Sequence, residues 1–182
     1  MDELLKLATQ IVGTLKEKDL FITTVESCTG GGISNCITNI SGASEVMMGA
    51  RVTYSNEEKI ALGIPEEIIE KYTVYSVETA IAMAAAGVRQ AFRADIGVGV
   101  TGSISRVDPA NPGSKPGEVY IAVVFGDKII SKKFLFSDAG ERWEVKNSAI
   151  KEALKFLIDE GVFFNSVSNN GNGFFIAAKC AT

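Results

Sequence analysis

The chain has 182 residues, 46% of them hydrophobic, enough for one globular domain to bury a core without disulfide or metal staples. Eighteen Lys and Arg stand against 22 Asp and Glu, a net charge of -4, which argues against a protein built to grip a nucleic-acid backbone. There is no histidine. That excludes Ser-His-Asp and Cys-His catalysis and imidazole-ligated zinc, leaving carboxylates, lysine, tyrosine and hydroxyls to carry protons.

Residues 3–18 set Leu4, Leu5, Leu7, Ala8, Ile11, Val12 and Leu15 on one face at helical spacing and end in Lys16-Glu17-Lys18, which predicts an amphipathic opening helix. With acids at both ends and no unbroken apolar core, this segment does not read as a signal peptide. Leu20 to Val25 is short and β-branched and runs into Glu26-Ser27-Cys28-Thr29-Gly30-Gly31-Gly32, then Ile33 to Ile40. A strand, a hydroxyl and glycine turn and a helix are expected, an order that aims backbone N–H groups at an anion. An N-capping Ser or Thr would explain the same turn structurally.

Met47 to Tyr54 reads as a second strand, followed by helical pieces at Asn56 to Leu62 and Pro65 to Tyr72, with Pro65 at a first helical position. Ser76 caps an alanine-rich helix to about Phe92, with Glu78 in its first turn. Ala94 to Val100 is a buried-type strand, and Thr101 to Gly117 a proline-containing loop. Glu118 to Phe125 and Lys128 to Phe136 flank Gly126-Asp127 as a hairpin, and Glu141 to Glu160 is the last helix. Alternating helices and strands with one hairpin predict an α/β fold, a three-layer α/β/α sandwich with a mixed, mainly parallel sheet. The domain is expected over residues 1–165, and the Asn-, Ser- and Gly-rich start of 166–182 reads as a flexible or loosely docked tail.

Cys28, Cys36 and Cys180 form no metal-ligand spacing and read as reduced thiols. No stretch is apolar for the length of a membrane span. A cytoplasmic protein with no metal, no membrane and no nucleic-acid partner is expected. Without histidine, a partly desolvated lysine is the natural base for a serine hydroxyl, and Lys59, which follows Tyr54-Ser55-Asn56, is such a base or a solvated helix lysine. Thr101 stands at the carboxyl end of an apolar strand, where open α/β sheets place ligands. Arg142, opening the last helix, is a fork for phosphate or carboxylate, or a surface arginine.

Taken in order, Glu26-Ser27-Cys28-Thr29-Gly30-Gly31, Ser41-Gly42-Ala43-Ser44, Val52-Thr53-Tyr54-Ser55-Asn56-Glu57-Glu58-Lys59 with Leu62-Gly63, Val100-Thr101-Gly102 and Gly140-Glu141-Arg142 resemble the CinA C-terminal domain family, over about residues 5–160. That family includes nicotinamide-nucleotide amidohydrolases. The resemblance implies hydrolysis of nicotinamide mononucleotide to nicotinic acid mononucleotide and ammonia, without a cofactor. It implies Ser44 as nucleophile, Lys59 as its general base, Tyr54 completing their hydrogen-bonded group, and Thr101 positioning water or substrate. Ser27, Thr29, Gly30, Gly31, Asn56 and Arg142 would bind substrate, and Ser27 stands as the alternative nucleophile.

Two features depart from the family pattern. Its Ile-Ala-Gly-Pro-Gly-Gly run after Thr-Gly is replaced by the loop from Ser103 to Gly117, which bears on specificity, and a second arginine after Arg142 is replaced by Lys146. A non-catalytic nucleotide-binding module and an amidase for another small amide are the alternative functions. The extra N-terminal pyrophosphatase-type domain of longer relatives has no counterpart in these residues, and a homo-oligomer, with a dimer favoured, is expected.

Overall fold

Residues 3–136 and 140–159 are described by a computed structural model. In chain order the elements are α1 (Glu3–Glu17), β1 (Ile22–Glu26), α2 (Gly32–Thr38), a 3-10 turn (Ala43–Glu45), β2 (Met47–Val52), α3 (Asn56–Ala61), α4 (Glu66–Tyr72), α5 (Val77–Gln90), β3 (Ile96–Ser103), β4 (Glu118–Phe125), β5 (Lys128–Leu135) and α6 (Arg142–Asp159). The strands form one sheet in the order β2-β1-β3-β4-β5. β1 lies parallel to both β2 and β3, whereas β3–β4 and β4–β5 are antiparallel.

The mixed sheet agrees with the sequence pattern, although it divides evenly between parallel and antiparallel pairs instead of being mainly parallel. The reason lies in the 104–117 connection, which contains no helix. Without a helical crossover the chain turns back, and β4 pairs antiparallel with β3.

Helices cover both faces. α1, α2 and α6 pack together on one side, where Ile11, Leu15, Ile33 and Ile37 meet Leu154 and Leu157 over Ile22, Ile96, Val98 and Val100 of the sheet. α5 covers the other face, packed on β1, β3 and β4. Alternation along β3 explains the fit, because the residues between its apolar side chains are Gly97 and Gly99. A Cβ at either would collide with the backbone carbonyl oxygens of Ala84 and Ala80 in α5. The alanine-rich sequence of α5 and the glycines of β3 thus serve one purpose, which is close approach of helix and strand.

The caps follow local chemistry. Ser76 accepts a hydrogen bond from the Thr79 N–H at 3.1 Å, as its place before α5 predicts. Gly126, at φ 56°, turns the β4–β5 hairpin through two residues. Several boundaries move. β2 stops at Val52, α5 ends at Gln90, and Pro65 occupies the N-cap of α4, one place before the first helical position. β3 continues through Thr101 and Gly102 to Ser103, because β4 supplies partners as far as the Ser103–Glu118 pair. The 165/166 domain boundary, the tail, Glu160 and Cys180 lie outside the described residues. Among the described residues no helix is long and apolar enough to cross a membrane.

Two glycine substitutions test the packing. Gly99→Ala should lower unfolding free energy by about 3 kcal/mol in denaturant titration, since the obstruction is backbone. Gly13→Ala in α1, where a Cβ meets nothing within 4 Å, should raise it by about 0.5–1 kcal/mol.

Candidate active site

The parallel β1–β2 pair fixes the site. Glu26 at the end of β1 lies opposite Val52 at the end of β2, and the Thr53 N–H donates to the Glu26 carbonyl at 2.9 Å. The residues that follow both strands, Ser27 and Thr53 to Lys59, therefore emerge side by side at the carboxyl edge of the sheet, where α/β folds place ligands. Ser55 caps α3 by accepting from the Glu58 N–H at 3.2 Å, and the following turn of helix carries Lys59 back toward β1.

Lys59 is 1% exposed. Its Nζ donates to the Thr53 carbonyl at 2.7 Å, the Ser55 carbonyl at 3.4 Å and the Ser27 Oγ at 3.2 Å. No carboxylate forms a salt bridge with it among the described residues. Burial lowers its pKa from the usual 10.5 to about 8, against the opposing pull of Glu57. A lysine in this condition can give up its proton near neutral pH, and the hydroxyl beside it is Ser27.

Ser44 is not there. It lies exposed in the 3-10 turn before β2, while Lys59 follows β2, so the six-residue strand, roughly 20 Å long, separates the two ends. This corrects the assignment of Ser44 as the nucleophile and brings forward Ser27. The next residue, Cys28, is no competitor, because burial raises its thiol to about 12.

The turn holding Ser27 is organised by Glu26, a carboxylate buried at 0% exposure. It accepts hydrogen bonds from the Thr24 and Thr29 hydroxyls at 3.2 and 2.7 Å and from the N–H groups of Ile33 and Ser34 at 3.1 and 2.9 Å. Thr29, expected to touch substrate, is instead fully buried and turned onto Glu26. No Ser or Thr caps α2; its N-cap is Gly31, and Glu26 satisfies the first N–H groups from within the core. Gly30 and Gly31 adopt φ 61° and 87°, the left-handed region that favours glycine. Among the described residues the N–H groups of Thr29 and Gly31 have no hydrogen-bond partner, whereas the Gly30 N–H donates to the Ser27 carbonyl at 3.1 Å.

A cavity of about 230 Å³ opens over Ser27 and Lys59, walled by Tyr54, Ser55, Asn56 and Glu57 on one side and by Val74, Tyr75, Asp108, Ala110 and Asn111 on the other. Asn56, expected to bind substrate, is among the residues that line the cavity. Tyr54 also lines the cavity, yet it is 64% exposed, and its hydroxyl accepts from the Arg142 guanidinium at 3.1 Å. Its expected place in the Lys59 hydrogen-bonded group is thus corrected. Arg142 also donates to the Ser105 Oγ at 3.0 Å and so ties α6 to the 104–117 loop outside the cavity wall.

Thr101 is corrected as well. It is fully buried in β3, absent from the cavity wall, and donates to the Val74 carbonyl at 2.8 Å. It braces the backbone beside Tyr75. Tyr75, Asp108 and Asn111, missed in the sequence, join through the Asp108 carboxylate, which accepts from the Tyr75 hydroxyl and the Asn111 side-chain amide, each at 2.8 Å. No three Cys, Asp or Glu side chains converge as a metal site requires among the described residues.

Glu26→Gln should be costly. An amide presents two donors to a site made of donors, so a loss of about 2–4 kcal/mol in unfolding free energy is expected. Thermal or urea unfolding measures it.

Comparison with known proteins agrees with this architecture. The model of the CinA C-terminal domain matches residues 4–160. A putative competence-damage inducible protein of Caldicellulosiruptor bescii is 39% identical over 153 residues, covering 81% of this chain and 35% of that protein. A protein of the same description from Clostridioides difficile is 39% identical over 149 residues, covering 79% and 34%. The chain thus spans about a third of the length of these curated relatives. Among solved structures, competence/damage inducible protein CihA from Agrobacterium tumefaciens superposes with a TM-score of 0.78 at 29% identity, covering 87% of this chain and 96% of that one. A competence or damage-inducible protein from Enterobacter asburiae gives 0.78 at 28% identity, covering 88% and 99%. The chain belongs to the CinA C-terminal domain family.

Proposed function

We propose that the protein is a serine amidohydrolase that converts nicotinamide mononucleotide and water to nicotinic acid mononucleotide and ammonia, with Ser27 as nucleophile and Lys59 as general base. The observation that carries the reading is the buried Lys59 Nζ, 3.2 Å from the Ser27 Oγ on the floor of a cavity. The nucleotide substrate rests on the family resemblance.

In the neutral form of Lys59 the amine accepts the Ser27 hydroxyl proton as Oγ attacks the carboxamide carbon. The unpaired N–H groups of Thr29 and Gly31 are the donors offered to the developing oxyanion, at roughly 3 kcal/mol per donor. Collapse breaks the C–N bond. The Lys59 ammonium returns its proton to the departing nitrogen, which leaves as ammonia, and Ser27 holds an ester. Water then attacks that ester while Lys59 takes a proton from it, and the same proton restores the Ser27 hydroxyl.

The cavity is smaller than the roughly 300–1,000 Å³ of a whole-ligand pocket, so it suits the carboxamide ring, with the ribose and phosphate outside. Arg142 at the rim and Lys146, whose Nζ lies over Gly30, are the cations for the phosphate.

Ammonia release from nicotinamide mononucleotide by the purified chain tests the reading. Ser27→Ala and Lys59→Arg should each reduce kcat by about 1,000-fold or more, the arginine because it keeps the charge but holds its proton. Ser44→Ala should stay within about twofold of wild type. Full activity in Ser27→Ala would overturn the mechanism. Because the base works unprotonated, kcat/KM should rise about tenfold per pH unit below 8 and level off above it. A rate that falls as pH rises through 8 would contradict the role of Lys59.

A further inference from the structure

We propose that Asp108 and Glu57 make the cavity selective for an amide on a cationic ring over the same amide on a neutral ring. The inference deepens the function proposed above and rests on that site being the one that binds the amide.

The walls carry opposite chemistry from the floor. Two carboxylates, Asp108 and Glu57, and two phenol rings, Tyr54 and Tyr75, line the space, and Lys59 is the one cation among its lining residues. Asp108 is fixed by three donors: the Tyr75 hydroxyl and Asn111 amide at 2.8 Å each, and the Ala110 N–H at 3.0 Å. These bonds, that from Asn111 foremost, hold its pKa below the usual carboxylate value, so it is charged throughout the neutral range. Glu57 is held low by its own backbone N–H and by Ser55. Burial raises the Tyr75 phenol well above its ordinary value, so Tyr75 remains a neutral donor toward Asp108.

The cavity wall therefore carries two negative charges against at most one positive charge, and the positive one is needed in its neutral form for chemistry. An anionic ring is repelled from such a space and a positively charged aromatic ring is drawn into it, by the carboxylates and by the two phenol rings beside them. Amide hydrolysis turns a neutral carboxamide into a carboxylate, so the same wall repels the product and favours its release. Asp108 reaches this place because the 104–117 loop, where the chain departs from the family pattern, folds back onto Tyr75 through the hydrogen bond above.

The test compares a cation with its neutral counterpart in the full chain. Calorimetry should give the 1-methylnicotinamide cation about tenfold tighter binding than neutral nicotinamide to wild type. Asp108→Asn, which keeps an acceptor for Tyr75, and Glu57→Gln, on the exposed first turn of α3, should each reduce that ratio to about threefold or less. For turnover, each variant should lower kcat/KM for nicotinamide mononucleotide by about threefold to tenfold more than it lowers kcat/KM for the reduced, uncharged dihydropyridine form. Equal binding of the two ring amides by wild type, or by neither, overturns the proposal, as does an unchanged ratio in both variants. Absence of ammonia release with the cation preference intact contradicts the proposed reaction and leaves the charge selection standing.

Discussion

Lys59 sits in the interior of this protein and forms no salt bridge among the described residues. An ammonium removed from water costs several kcal/mol unless it is paired and hydrogen-bonded. Here its partners are two backbone carbonyls and one serine hydroxyl. Those groups ease the burial without supplying a counter-charge, and the balance is met by a lowered pKa. A carboxylate in their place would make a more stable pair and a poorer base. The fold keeps a destabilised lysine, and the chemistry open to Ser27 follows from it.

That constraint reaches outward through the sheet. Lys59 meets Ser27 only because β1 and β2 are adjacent and parallel and end level, with Glu26 opposite Val52. Glu26 then serves two elements at once. Its backbone carbonyl receives the Thr53 N–H, and its side chain receives the first N–H groups of α2. The turn between them needs left-handed backbone at Gly30 and Gly31, and Gly32 brings α2 against Ile150 of α6 so closely that a Cβ there would overlap that side chain. Each glycine in the run thus has its own physical reason, two conformational and one steric.

Much of this was legible in the residues. The strand, turn and helix order, the Ser76 cap, the Gly126-Asp127 hairpin and the need for a lysine base in a chain without histidine all follow from local chemistry. The choice of serine did not, since Ser44 came from the family resemblance, with Ser27 beside it as the alternative. Only strand adjacency decides the matter. Once β1 and β2 are taken as parallel neighbours, a residue before β2 and a residue after it stand at opposite edges, which excludes Ser44. Thr101 was hidden for a similar reason: β4 extends β3 by pairing with it, and this buries a residue that reads as the start of a loop. Asp108 sits in a loop without periodicity, and its bond to Tyr75 joins positions that nothing in the local pattern connects.

The central claim is that Ser27, activated by Lys59, is the attacking group. Covalent labelling with a fluorophosphonate followed by peptide mass mapping tests it without reference to any substrate. Attack by Ser27 gives one adduct per chain on the peptide containing Ser27, formed at a rate that climbs with pH to a plateau above about 8. Label on the peptide containing Ser44, or a rate indifferent to pH across that range, would contradict it.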